Sequence, residues 1–175
     1  MNEYRPIIWL FGLPSAGKST LAQALCVKLT KAGRRVVALD GDVLRGGVCS
    51  DLSFTDEDRS ENIRRSAEIA KLLASQGLFV VCAFVTPNEQ HRVLVKRILG
   101  EHVSLIHVDC PLEMCIARDV KGLYAEAASG RRQSMTGIQQ PFDPPKLCDF
   151  TVITSSCSVE SCADKICEEL LNGSS

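Results

Sequence analysis

Gly12-Leu13-Pro14-Ser15-Ala16-Gly17-Lys18-Ser19-Thr20, directly after the apolar run Ile7-Ile8-Trp9-Leu10-Phe11, decides the reading of this chain. Residues 12–19 fit G-x-x-x-x-G-K-[ST] without a gap, and they stand where a phosphate-binding loop must stand, between a strand and a helix. Two glycines let the backbone curl until successive N–H groups point inward at phosphate oxygens. Lys18 then reaches the β- and γ-phosphates, the Ser19 hydroxyl offers an oxygen to Mg²⁺, and the following helix presents its positive end. The pattern implies binding of a nucleoside triphosphate.

Working outward, apolar strands alternate with amphipathic helices. Strands are expected at 7–11, 36–39, 79–85, 103–108 and 150–153, as continuous apolar runs suited to parallel strands buried on both faces. Helices are expected at 18–32, 56–76, 89–99 and 159–171, with Leu21, Ala24, Leu25 and Leu29 at helical spacing in the first. Gly33, Gly77 and Gly100 stop three of them just before the next strand. Thr55 caps the second, with Asp56, Glu57 and Asp58 in its first turn. Such an alternation predicts an α/β fold with right-handed crossovers, whose ligands lie beyond the carboxyl ends of the strands.

Composition narrows the class. The 175 residues are 45% hydrophobic and 23% charged, which suits one globular domain spanning 1–175. A formal net charge of −1 gives no general electrostatic grip on nucleic acid or membrane surface. No run approaches the roughly 18 apolar residues of a membrane span. Met1-Asn2-Glu3-Tyr4-Arg5-Pro6 lacks the pattern of a signal peptide, so a cytoplasmic place is expected. The nine cysteines are odd in number and hold no C-x-x-C pair, and Cys157, Cys162 and Cys167 are spaced around a helix. They read as small hydrophobes with free thiols in a reducing compartment.

Three further segments carry chemistry. In Leu39-Asp40-Gly41-Asp42-Val43-Leu44-Arg45, two carboxylates and an arginine end the second strand. An aspartate there can hold a metal-bound water or accept a hydroxyl proton, and Arg45 offers a planar fork to an anion. The segment reads equally as a turn capped by aspartates around Gly41. Phe54 precedes a helix on which Arg59, Asn62 and Ile63 fall at i, i+3 and i+4, one face suited to an anionic nucleotide. A solvated face bearing Arg59, Arg64 and Arg65 is the alternative. Finally, 118–146 breaks the alternation with Gly122, Gly130, Gly137, Pro141, Pro144 and Pro145 and with basic Lys121, Arg131 and Arg132. A long irregular segment of this kind suggests a closing lid.

Taken together, these segments resemble the adenylylsulfate kinase (APS kinase) family, from about Ile7 to Pro145. The likeness rests on the loop at 12–20, on Leu39–Arg45, on the block Phe54–Arg65, on Ala83–Pro87, on Arg118-Asp119-Val120-Lys121-Gly122-Leu123-Tyr124, and on Met135-Thr136-Gly137-Ile138 before Pro141-Phe142. The resemblance implies a P-loop NTPase-type three-layer α/β sandwich with a mainly parallel five-stranded sheet and a lid. It further implies an ATP- and Mg²⁺-dependent transferase that phosphorylates the 3′-hydroxyl of adenosine 5′-phosphosulfate (APS), yielding PAPS and ADP for sulfate assimilation, and it suggests a homodimer. On that likeness Gly12, Leu13, Pro14, Ser15, Ala16, Gly17, Lys18, Ser19, Thr20 and Arg118 hold ATP, and Ser19 and Asp40 hold the metal. Lys18, Asp40 and Asp42 are the catalytic residues. Asp42, Arg45, Phe54, Arg59, Asn62, Ile63, Lys121, Gly122, Leu123, Met135, Gly137 and Ile138 bind the acceptor.

The chain departs from the family pattern at several of these positions. Thr86 stands at the family serine, keeping a hydroxyl at a catalytic position, and it is read as a pocket residue. Val43 replaces an asparagine, and Met135 replaces a phenylalanine that sandwiches the acceptor base. Residues 125–128 are less basic than usual. Met135 keeps open a same-family kinase acting on another nucleotide acceptor, such as a cytidine diphosphate derivative. A non-catalytic nucleotide-binding module is the third reading.

Overall fold

The computed structural model describes residues 6–172; the expected leader-free start at 1–5 and the extreme ends of the 1–175 domain span lie outside the described residues. Five strands, β1 (Ile7–Phe11), β2 (Val36–Asp40), β3 (Phe79–Phe84), β4 (Val103–Asp109) and β5 (Phe150–Ile153), pair in the order β2-β3-β1-β4-β5, and every pairing is parallel. β1 is central, with Ile7 opposite Val80 on one side and Val103 on the other. Its side chains alternate between two cores. Ile8 and Leu10 join the one that includes Leu21, Leu25, Ala163 and Ile166, from helices α1 (Lys18–Lys31) and α7 (Val159–Asn172). Ile7, Trp9 and Phe11 join the other, with Ile63, Ala67, Val95 and Leu99. These come from α3 (Asp56–Ser75) and α4 (Glu89–Leu99). The result is the expected three-layer α/β sandwich.

Continuous burial holds for β1 and almost all of β3, whereas β2 buries only Leu39 and β5 only Val152. The reason is topological. Both lie at the sheet edges, where one side of the strand has no neighbour. Helix ends follow the local chemistry: Thr55 and Asn88 accept from the Asp58 and His91 N–H groups, respectively.

Three short helices were not foreseen: α2 (Gly41–Arg45), α5 (Leu112–Arg118) and α6 (Leu123–Ala128). Seven residues or fewer show no amphipathic period, and such helices depend on tertiary contacts. The irregular reading of 118–146 is corrected accordingly, since Arg118 ends α5 and α6 lies inside the expected lid. The Asp119 carboxylate starts α6 by accepting from the N–H groups of Tyr124 and Ala125.

Candidate active site

The phosphate loop leaves the central strand where its backbone runs against β4. A Cβ on Gly12 would lie 2.4 Å from the Val108 carbonyl oxygen, so only glycine fits. Gly17, at φ 100°, then turns the chain into α1. Lys18 is buried, and its Nζ donates to the Gly12 and Leu13 carbonyls at 2.9 and 2.6 Å. Burial lowers its pKa to about 8, against the partial support of the Asp40 and Asp42 charges. The ammonium therefore sits at the mouth of a ring of backbone dipoles, short of solvation, which is the condition an incoming phosphate relieves.

Asp40 ends β2 and accepts twice. The Ser19 hydroxyl donates to one carboxylate oxygen at 2.6 Å, and the Asp42 N–H donates to the other at 2.9 Å. The aspartate-capped turn and the chemical site are thus one structure. Ser19 and Asp40 bring a hydroxyl and a carboxylate together, hard oxygen donors that suit Mg²⁺. Among the described residues no three His, Cys, Asp or Glu side chains gather around a metal-sized space. Mg²⁺ commonly takes one or two protein ligands and completes its shell from waters and substrate phosphates. Asp42 projects beside this pair and forms an ion pair with Lys121, which raises the lysine pKa.

A cavity of about 500 Å³ spans the carboxyl ends of the strands. Its wall contains Pro14, Ser15, Gly17, Lys18, Ser19, Thr20, Asp40 and Asp42, then Arg45, Phe54, Arg59, Asn62, Ile63, Thr86, Arg118, Lys121, Leu123 and Met135. The helix face of Arg59, Asn62 and Ile63 turns inward as the functional reading required. Arg64 and Arg65 instead pair outward with Glu61, and Arg65 also with Asp51. The Asn62 Nδ2 is buried with no hydrogen-bond partner in the protein, an exceptional state for a carboxamide. Asn62 nonetheless lines the cavity wall.

Gly12, Leu13, Ala16, Gly122, Gly137 and Ile138, also expected at the site, do not line the wall. Gly12, Leu13 and Ala16 support the loop, and Gly122 precedes α6. Gly137 packs on Leu13 and Leu112, at φ 91°. Ile138 is exposed. Thr86 is buried at φ 45°, a left-handed conformation unusual for a β-branched residue, and its Oγ1 accepts from the Trp9 Nε1–H at 3.0 Å.

Several wall residues were not among the expected site residues: Thr154, Cys157, Val159, Cys162, Ser134, and Arg132 and Thr136, read only as parts of the lid segment and of the Met135–Ile138 block. Thr154 accepts from Arg118 through its carbonyl at 2.7 Å and donates to the Ala16 carbonyl at 2.7 Å, tying β5 to the loop. The position just beyond a strand's carboxyl end was the available signal for Thr154. For Arg132 the signal was its charge within the irregular segment.

A phosphate loop on the central strand of a parallel sheet, facing a second polar subsite across one cavity, defines a P-loop kinase. The sequence places it further: the adenylylsulphate kinase family model matches residues 5–153, and the chain belongs to that family. It is 44% identical over 165 residues to the adenylyl-sulfate kinase of Paraburkholderia xenovorans, covering 94% of this chain and 92% of that one. It is likewise 44% identical over 168 residues to the adenylyl-sulfate kinase of Shewanella amazonensis, covering 95% and 85%. Among solved structures, the Mycobacterium tuberculosis APS kinase in complex with AMPPNP and APS superposes with a TM-score of 0.90 at 36% identity, covering 95% of this chain and 96% of that one.

Proposed function

We propose that this chain transfers the γ-phosphoryl group of ATP to the 3′-hydroxyl of APS, giving PAPS and ADP, with Mg²⁺ as the metal. The observation that carries the reading is the shared cavity. Lys18 and the loop amides stand at one end, Arg45, Arg59 and the orphaned Asn62 amide at the other, and Asp42 between them. Transfer between two anionic nucleotides needs this layout, because catalysis is mostly positioning and charge neutralisation.

In this reading Lys18 and the loop N–H groups hold the ATP phosphates, with Arg118 bracing the loop through Thr154. Ser19 and Asp40 hold Mg²⁺, which, when bound, offsets charge on the β- and γ-phosphates. Asp42 accepts the proton of the 3′-hydroxyl as its oxygen bonds to phosphorus and the bond to the β-phosphate bridging oxygen breaks. Arg45, Arg59 and Asn62 hold the acceptor's phosphate–sulfate end and ribose, while Phe54 and Met135 flank its base. Lys121, released from Asp42, and Leu123 close over both nucleotides and exclude water. Thr86 shapes the pocket floor, its hydroxyl already engaged by Trp9. The wider reading is a single domain, acting as a homodimer in the cytoplasm. Among the described residues no helix is long and apolar enough to cross a membrane.

Met135 favours one competing acceptor class. A buried thioether in the cavity wall packs on a base with less geometric preference than a ring. The test is ADP release with ATP and Mg²⁺ in the presence of APS, of cytidine diphosphate-type acceptors, or of no acceptor. APS-dependent release with PAPS as product is expected, and Lys18→Ala should cut it by on the order of 10²–10³-fold while the protein stays folded. Turnover confined to the cytidine compound would overturn the acceptor assignment. A Lys18→Ala protein as active as the parent would overturn the site.

A further inference from the structure

Three guanidinium groups converge on one aromatic ring at the acceptor end of the cavity. The Arg45 Cζ lies 4.3 Å from the Phe54 ring centroid, Arg59 lies 5.6 Å from it, and Arg132 lies 5.8 Å from it, all within cation–π range. Arg45 and Arg59 have no carboxylate partner among the described residues. Arg45 donates to the Leu52 and Ser53 carbonyls, and Arg59 to the Phe54 and Ser134 carbonyls and the Thr136 hydroxyl. Like charge is thus gathered around a ring, and Asn62, whose buried Nδ2 has no protein partner, lines the same cavity.

Arg132 enters from a different part of the chain. It follows α6, lines the cavity, and donates from Nε to Glu126 at 3.2 Å. Its Nη groups have no protein acceptor among the described residues, and its side chain is 27% exposed. Glu126 is more exposed still, so the pair is a weak anchor that an anion in the cavity can outcompete. We propose that Arg132 is a further acceptor-binding residue: it supplies a third guanidinium, carried by the lid segment, to the phosphate–sulfate end of the acceptor. The inference rests on the APS kinase reading above. It gives the lid a direct charge contact with the acceptor, which compensates for the weaker grip of Met135 on the base.

The experiment compares wild type, Arg132→Ala, Arg132→Lys and Glu126→Gln in steady-state kinetics with APS and ATP at two ionic strengths, with thermal melts as folding controls. Arg132→Ala should raise the APS KM about tenfold, leave the ATP KM and kcat within about twofold, and flatten the salt dependence of the APS KM. Arg132→Lys should recover most of the loss. Glu126→Gln should leave the APS KM unchanged or lower it. An APS KM in Arg132→Ala within twofold of wild type would overturn the proposal alone. An equal rise in Glu126→Gln would also do so, by reducing Arg132 to half of a structural ion pair. Absence of APS turnover by the wild type would instead overturn the acceptor assignment, and this proposal with it.

Discussion

At the scale of the residue, the fold holds single side chains in costly states. Thr86 occupies a left-handed conformation, and the Trp9 indole N–H pins its hydroxyl from the neighbouring strand. Trp9 also stacks on Phe84, with centroids 4.7 Å apart. Trp9→Phe keeps an aromatic ring but leaves a buried hydroxyl without its donor, so a loss of about 2 kcal/mol is expected from urea unfolding. His91 is a second case. Burial holds its pKa down at about 4, Arg59 and Arg92 add to the depression, and Asp56 and Asp143 oppose it. The folded protein therefore keeps His91 neutral while the unfolded chain binds a proton below about pH 6.5. Its stability contribution is complete above that pH and is lost as pH falls from about 6.5 toward 4. Melting temperatures measured across that window should fall for the wild type and fall less steeply for His91→Gln, with His107, also lowered by burial, retaining part of the slope. Neither state was visible in the sequence, where Thr86 was only a hydroxyl and His91 only one of three histidines.

At the scale of the element, the long helices and strands followed their local signals closely. β1 and β5 and the helix 89–99 fall at the expected residues, because apolar runs, caps and terminal glycines lie within a few residues of each boundary. Asn88 illustrates the strength of such signals. It accepts from the His91 N–H at 2.9 Å and starts α4, so Asn88→Ala should cost about 1 kcal/mol in chemical denaturation, most of it restored by Asn88→Ser. The short helices are different. α2 exists because Asp40 caps it at the end of β2. α6 exists because Asp119 caps it and the Tyr124 hydroxyl, donating to the Pro14 carbonyl at 3.0 Å, ties it to the phosphate loop. The two caps are local but the helices are too short to show a period, and the tie from Tyr124 to Pro14 spans 110 positions.

At the scale of the whole molecule, one sheet carries both cores and the cavity rim. Trp9 is the single tryptophan and lies in the central strand, fully buried. Its fluorescence and the far-ultraviolet circular dichroism should therefore report one coincident unfolding transition; separated midpoints would overturn the single-domain reading. The sequence by itself determined the alternation of elements, the parallel sheet and the phosphate loop, because each depends on spacing between near neighbours; which face of the helix 56–75 turns inward was decided by burial in the fold. Its resemblance to a family supplied the reaction to expect. Only the tertiary structure decided that Arg45, Arg59 and Arg132 share one ring, that Thr154 braces the loop, and that Asn62 is left without a protein partner in a common cavity. Those facts join residues up to 138 positions apart, and burial and hydrogen bonding become defined only when the strands bring them together.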